Sequence, residues 1–381
     1  MCYKEKIVPH LNPIDWLASQ KLYPKVYWKE KGSSTIRAAA GAACSFQHPP
    51  SNIKGRVYGG MAFTQAHKND PSFAQFPRSY FFLPILELSC YAKETVLLYG
   101  QEPAPVEAIP HLIPSLIGIE YLPNFASWKQ MVANCTFLEK VVLARKTICE
   151  FKEPLNPFSL LKSMDNSLTT TFLFQPTPEI TFLGATPELL FAKEGDKVTV
   201  EAVAGTRKRG RDRSEDLTLE QALLSSHKDL KEFKIVKQGL EEALSPFATK
   251  IAWNEDQIIK TPSVQHLYNK MTSFLKVPLL IDDLFRLLHP TAALGGYPKD
   301  KALAAIQCLE PFDRGWYGAP FGVISQERSA FYVAIRSALI KENRAELFTG
   351  VGLIQESVAE KEWEELNAKL GFFQPIHEGR L

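Results

Sequence analysis

The chain has 381 residues, 45% hydrophobic and 23% charged, a balance that supports one large or two medium cores and excludes a disordered polymer. Its net charge of +2 excludes a global field that recruits nucleic acid or an anionic membrane, so an anionic ligand needs a local site. Six cysteines (Cys2, Cys44, Cys90, Cys135, Cys149, Cys308) without a CxxC pair point to neither zinc nor a disulfide framework. With no signal-type apolar start and no apolar run near about 18 residues, the expected setting is cytoplasmic, without membrane insertion.

In chain order, the first third carries the short apolar runs VYGGMAF, YFFLPILELSCY and ETVLLYG between Pro- and Gly-marked turns, which read as successive strands with few helices. Residues 105–124, broken by Pro110, Pro114 and Pro123, read as a connection. From about residue 126 the pattern changes: FASWKQMVANCTFLEK is helix-like, VVLAR strand-like, and TTTFLFQ, TFLGATPELLFAK and KVTVEAVAG read as three further strands. Strands in series joined by short turns indicate antiparallel pairing, so the expected class is α+β rather than a doubly wound parallel fold.

A long helix is expected after the basic loop GTRKRGRDRSED, where Leu230, Phe233, Val236, Leu240 and Leu244 recur at helical spacing and make one buried stripe. Asp229 and Glu232 stand at i and i+3 and share a neighbouring face. Near the far end, Ser357 and Glu360 form a capping-box pattern. The helix it starts has Trp363, Leu366 and Leu370 on its apolar side, with Glu362, Glu365 and Lys369 beside them.

Four features could carry chemistry. Lys140 lies in the apolar run FLEKVVLAR, and a buried amine is the side chain that can give up its proton near neutral pH; the bland alternative is a strand lysine reaching for water. The two i, i+3 carboxylate pairs could hold a hard divalent cation, magnesium being the natural candidate, or could be solvated helix faces. Glu188 in GATPELLFA follows a proline and leads into an apolar strand, where burial would keep it protonated as a usable acid; otherwise it is an exposed strand end. His289 in LLHPTAALGGYP precedes a proline, which suggests a turn presenting its imidazole, against the default of a structural histidine. The basic run Arg207, Lys208, Arg209, Arg211, Arg213 lacks interleaved aromatics and reads as a mobile, solvated loop rather than a nucleic-acid surface. It also lacks the ending of a phosphate-binding P-loop.

These pieces occur in the order FLEKVVLAR, GATPELL, VAGTRKRGRDRSED, SSHKDLKEF, LHPTAALGGYP, RGWYGAPFG, AIRSALI and FTGVGLIQESVAEKEWEELNAKL. So ordered, the chain resembles the chorismate-utilising enzymes, which include isochorismate, anthranilate, aminodeoxychorismate and salicylate synthases. The resemblance covers about residues 126–371, and PIDWLASQKLYPKVYWKEKG extends it toward menaquinone-type isochorismate synthases. It implies the fold of anthranilate synthase component I, with antiparallel sheets packed centrally and helices outside. Residues 1–125 would be a mainly β portion packed into the same fold, and 126–381 the chorismate-binding catalytic domain. Glu232 and Glu365 match magnesium ligands, with Asp229 and Glu362 nearby. Tyr317, Arg336 and Lys369 match contacts to substrate carboxylates, and Thr206, His289, Gly350 and Gly352 match further pocket positions.

The base position decides the chemistry in this family. Aminating members carry glutamine where this chain has Lys140, because ammonia needs no base whereas water does. The expected reaction is therefore magnesium-dependent conversion of chorismate to isochorismate, with Lys140 as base and Glu188 as acid on opposite sides of the ring. Ala293 and Leu294 agree, since aminating enzymes usually carry threonine at the first of these positions. Phe233, and ESVAEKE before the last helix, depart from the usual family pattern, with the glutamates still in register. The alternatives are a salicylate synthase and, distantly, a non-catalytic nucleic-acid-binding protein. No nucleic acid, membrane or obligate amidotransferase partner is expected.

Overall fold

A computed structural model describes residues 3–64, 70–110, 112–135, 138–164 and 166–373. Its strands are β1 (Lys4–Val8), β2 (Lys25–Lys29), β3 (Ile36–Phe46), β4 (Val57–Met61), β5 (Ser79–Cys90), β6 (Thr95–Tyr99), β7 (Leu116–Leu122), β8 (Lys140–Phe151), β9 (Thr170–Thr177), β10 (Ile180–Thr186), β11 (Leu189–Glu194), β12 (Lys197–Lys208), β13 (Ala248–Trp253), β14 (Gln257–Lys260), β15 (Val264–Leu275), β16 (Gly296–Tyr297), β17 (Pro320–Ile324), β18 (Ser329–Val333), β19 (Ser337–Lys341) and β20 (Arg344–Leu353). The helices are α1 (Pro13–Ser19), α2 (Phe125–Ala133), α3 (Pro157–Met164), α4 (Arg213–Leu224), α5 (His227–Leu244), α6 (Ile281–Leu288), α7 (Lys299–Leu309) and α8 (Ala359–Lys369). Side chains of Asn12, Asn124, Asp212 and Ser226 accept from orphan amides at the starts of α1, α2, α4 and α5, which fixes where those helices begin.

The strands pair antiparallel in two runs that share β5. One proceeds β5, β3, β2, β9, β10, β19, β20, β8, β7. The other proceeds β5, β4, β17, β18, β11, β12, β15, with β13 and β14 on the far edge of β15. Between the runs lies an aromatic core: Trp28, Phe172, Phe174 and Phe182 from the first meet Phe321 and Tyr332 from the second. Trp316 stacks on Phe174 at 4.9 Å. Outside the first run, α1 and α3 bring Trp16, Leu17, Leu160 and Leu161 onto Tyr27, Leu173 and Leu347. Outside the second, Phe233, Val236, Leu240 and Leu244 of α5 cover the alternate residues Val198, Val200, Ala202 and Ala204 of β12. Each fully buried Leu or Phe contributes about 1.5–3 kcal/mol relative to exposure. This is the α+β arrangement of central antiparallel sheets and outer helices that the sequence predicts.

The chain crosses between the runs at two places that matter below. Pro187–Glu188 joins β10 to β11, and Ala334–Arg336 joins β18 to β19. Backbone bonds link the crossings, Val333 N donating to Glu188 O at 3.0 Å and Ala185 N to Arg336 O at 3.1 Å.

Several local expectations are corrected. The expected connection at 105–124 contains β7, whose flanking prolines end the strand rather than abolish it. TFLGATPELLFAK is two strands, since Pro187–Glu188 is a crossing. The segment after the basic loop is two helices, α4 and α5, and Leu230 is exposed, with Ile235 in the stripe instead. The basic run is solvated only in part: Lys208, Arg211 and Arg213 are exposed, Arg211 pairing with Glu215 at the surface, whereas Arg207 is held by Asp229 at 2.7 Å and Arg209 by Asp216 at 2.8 Å. Ser357 does not cap α8; its hydroxyl accepts from Ile354 N. The described cysteines are unpaired, Cys2 lying outside the described residues, and no described helix is long and apolar enough to cross a membrane.

Candidate active site

A cleft opens where the two crossings meet the ends of β12, β15 and β20. Its wall includes Glu188, Thr206, Glu232, Ala293, Leu294, Tyr317, Arg336, Gly350, Gly352 and Lys369, ten positions that the resemblance places in one site. Lys140, at the start of β8, is fully buried directly behind that wall, its Nζ 3.0 Å from Glu232 Oε1. The two glycines of β20 leave room for these side chains. A Cβ on Gly352 would fall 2.2 Å from Glu232 Oε1 and 3.0 Å from Lys140 Cε, and one on Gly350 would fall 2.6 Å from the Tyr317 hydroxyl.

Glu188 is 3% exposed. Burial, then the neighbouring Glu201 charge, pushes its carboxyl up to about 8 against the pull of Lys140, Lys31 and Arg336, so it is protonated at neutral pH. Arg336 sits at a left-handed φ of 51°, which turns it out of the crossing. Its Nη2 donates to His266 Nε2 at 3.1 Å. Burial lowers the His266 imidazole to about 3, with Arg336 and Lys369 adding to the effect, so the ring is neutral. His266 Nδ1 then donates to Gly205 O at 3.0 Å, which fixes the tautomer. Burial raises the Tyr317 phenol to about 12. Lys369 Nζ donates to Gly350 O at 2.8 Å and pairs with Glu365 at 2.7 Å.

Beside the cleft, and sharing Thr206 with it, is a wider mouth lined by Asp229, Glu362 and Glu365. Each carboxylate here has a cationic neighbour: Asp229 faces Arg207 at 2.7 Å, and Glu362 is bonded to Lys228. Burial, then the Glu365 charge, raises the Glu362 carboxyl. For Glu365, burial is outweighed by Lys369, Lys228 and a bond to Thr206 acting together, and the carboxyl is lowered. Among the described residues no three His, Cys, Asp or Glu side chains converge as a ready metal cage. The donors nevertheless suit magnesium, which takes one or two carboxylates and keeps several waters. They are all hard oxygens, and the repulsion between Glu362 and Glu365 is the kind a cation relieves.

The sequence expectation that His289 lines the pocket is not met. His289 is buried at the end of α6, its Nε2 donating to Phe63 O at 3.0 Å, and burial lowers it to about 3. The imidazole in the cleft is His266, in the strand sequence VQHLYN. In the sequence it is one polar residue on the face of β15 opposite the core residues Leu267, Met271 and Leu275, a pattern that does not separate it from a structural histidine.

A family model described as chorismate binding enzyme matches residues 114–376. The isochorismate synthase MenF of Bacillus subtilis is 32% identical over 82% of this chain and 73% of that protein. The structure of MenF, the menaquinone-specific isochorismate synthase of Escherichia coli, superposes with a TM-score of 0.86 at 25% identity, covering 98% of this chain and 94% of the other. Anthranilate synthase component I of Streptococcus pneumoniae shares the fold, with a TM-score of 0.69 at 18% identity over 96% of this chain and 91% of the other.

Proposed function

The chain belongs to the chorismate-binding enzyme family, and from that premise we propose that it is an isochorismate synthase that converts chorismate to isochorismate for menaquinone biosynthesis. The observation that carries this reading is a buried lysine and a protonated glutamate at one cleft: Lys140 behind the wall and Glu188 in it. An isomerisation by water needs both partners at once, a group to take a proton from the nucleophile and another to give one to the leaving hydroxyl.

In this reading water attacks C2 of the ring while Lys140 takes its proton. The ring double bonds shift, the C4 oxygen departs, and Glu188 supplies the proton that makes it leave as water. Arg336 grips a substrate carboxylate with its planar fork, pre-aimed by the bond to His266, and Tyr317 and Lys369 hold carboxylate oxygens from adjacent walls. Thr206, Gly350 and Gly352 shape the pocket, and Ala293 and Leu294 leave an apolar face with no amine-directing hydroxyl. Glu232 and Glu365 would hold magnesium, with Asp229 and Glu362 nearby. Bound there, the ion neutralises and orients the ring carboxylate.

Incubation with chorismate and magnesium, with and without ammonium, tests this reading by product mass. Isochorismate alone, unaffected by ammonium and lost with chelator, is expected. Salicylate with pyruvate would replace the reading by a lyase, and an aminated product by an aminating enzyme.

A further inference from the structure

The reaction leaves a second buried carboxylate beside the acid without a part. Glu201 of β12 is 5% exposed. Lys31, in the turn after β2, places Nζ 2.6 Å from Glu201 Oε2. The same oxygen accepts from Leu189 N at 3.0 Å, and Oε1 accepts from the Tyr268 hydroxyl at 2.8 Å. Lys31 Nζ also donates to Pro187 O at 2.7 Å and stands 5.4 Å over the Tyr268 ring. The peptide that carries Glu188 is therefore held on both sides, at the carbonyl before it and the amide after it, by one lysine–glutamate pair. With three hydrogen bonds converging on this pair besides its own, the Glu201 side chain is fixed in place.

We propose that Glu201 and Lys31 are positioning residues for Glu188: Glu201 fixes the crossing that carries the acid and sets a negative charge behind it, and Lys31 ties the pair to the crossing and tempers that charge. This rests on the reading of Glu188 as the acid. The groups facing Glu188 are Glu201 on β12 with the Tyr268 hydroxyl bonded to it, Lys31 after β2, Lys140 on β8, Arg336 on the second crossing and Tyr317 before β17. Burial acts most strongly on Glu188, Glu201 next, and Lys140, Lys31 and Arg336 oppose them. Lys31 lies outside the span 114–376 matched by the family model, so part of the acid's support comes from the N-terminal third of the chain. Removing the anion and removing the cation move Glu188 in opposite directions, whereas an ion pair that does not reach Glu188 would move it in neither.

The test is titration of the Glu188 carboxyl by ¹³C NMR in glutamate-labelled protein, the resonance being assigned by its loss in Glu188→Gln. In Glu201→Gln the midpoint is expected to fall by about one pH unit, and in Lys31→Met to rise by a similar amount. The break in turnover that reports Glu188 should follow in each case, with KM for chorismate little changed. Midpoints that stay put, or that move the same way in both variants, overturn the proposal. If Glu201→Gln does not fold, Lys31→Met decides alone, because Glu201 keeps its bonds to Leu189 N and the Tyr268 hydroxyl there. Undiminished turnover in Glu188→Gln would instead remove the acid reading, and the titrations would still judge the support.

Discussion

Glu188 ties pH to stability as well as to chemistry. Folding lifts its carboxyl from 4.5 to about 8. Between those values the folded chain keeps a proton that the unfolded chain has released, so this contribution is whole below about pH 4.5 and is lost as pH rises through about 8. Glu188→Gln should therefore gain stability relative to the parent on going from pH 5 to pH 8.5, by up to a few kcal/mol at about 1.4 kcal/mol per pKa unit. Urea denaturation at the two pH values measures it, and an unchanged difference would mean that the carboxyl is not held protonated. At this scale the burial of Glu188 was only half legible, because a glutamate after proline at the mouth of an apolar strand reads as readily as an exposed strand end, and it was the resemblance that singled it out. His266 was not legible, because its role depends on Arg336, which is 70 residues distant and meets it only after folding.

Helix α8 shows how an element places several groups together. Trp363 packs on Phe125 at 5.3 Å and on Tyr121 at 5.6 Å, while the Arg145 guanidinium stacks over its ring at 4.3 Å. That contact sets the rotation of the helix, and Glu362, Glu365 and Lys369 on its adjoining faces are aimed by the same rotation. Trp363→Ala should cost about 2–4 kcal/mol of stability, the range of large-to-small packing losses. It should also raise the magnesium concentration for half-maximal turnover more than it lowers turnover at saturation. Thermal melting and magnesium titration read the two effects, and an unaltered magnesium requirement would detach the helix from the ion. The apolar stripe of α8 was visible in its spacing. Its first residue was not, because the Ser357 hydroxyl is spent on Ile354 N. Strand β7 was obscured in the same way, by prolines whose presence signals an ending as readily as a loop.

In the whole molecule, the N-terminal third is threaded into the strand order rather than set beside it. Strand β2 lies between β3 and β9, and β4 between β5 and β17. A fragment of residues 126–373 would leave β9 and β17 each with a bare edge. It is expected to lack a cooperative transition, whereas the full chain unfolds in one step with circular dichroism and tryptophan fluorescence coinciding. A fragment that melts cooperatively would establish an independent domain. The class of fold was legible because strands in series with short turns favour antiparallel pairing. The order of strands was not, because periodicity reports which face a residue takes and is silent on which strand it meets.

The two crossings act as a gauge. Glu188 comes from one and Arg336 from the other, and main-chain bonds of 3.0 and 3.1 Å hold the passages to each other. The interval between the proposed proton donor and the proposed carboxylate grip is thus set first by the backbone, and the Glu201–Lys31 pair steadies one side of it. In the proposed reading, exchanges at Lys140, Ala293 or Leu294 bear on what attacks the ring, whereas the spacing of acid and grip belongs to the crossings. On that reading the choice of nucleophile is open to point substitution, while the span between Glu188 and Arg336 follows the crossings that carry them.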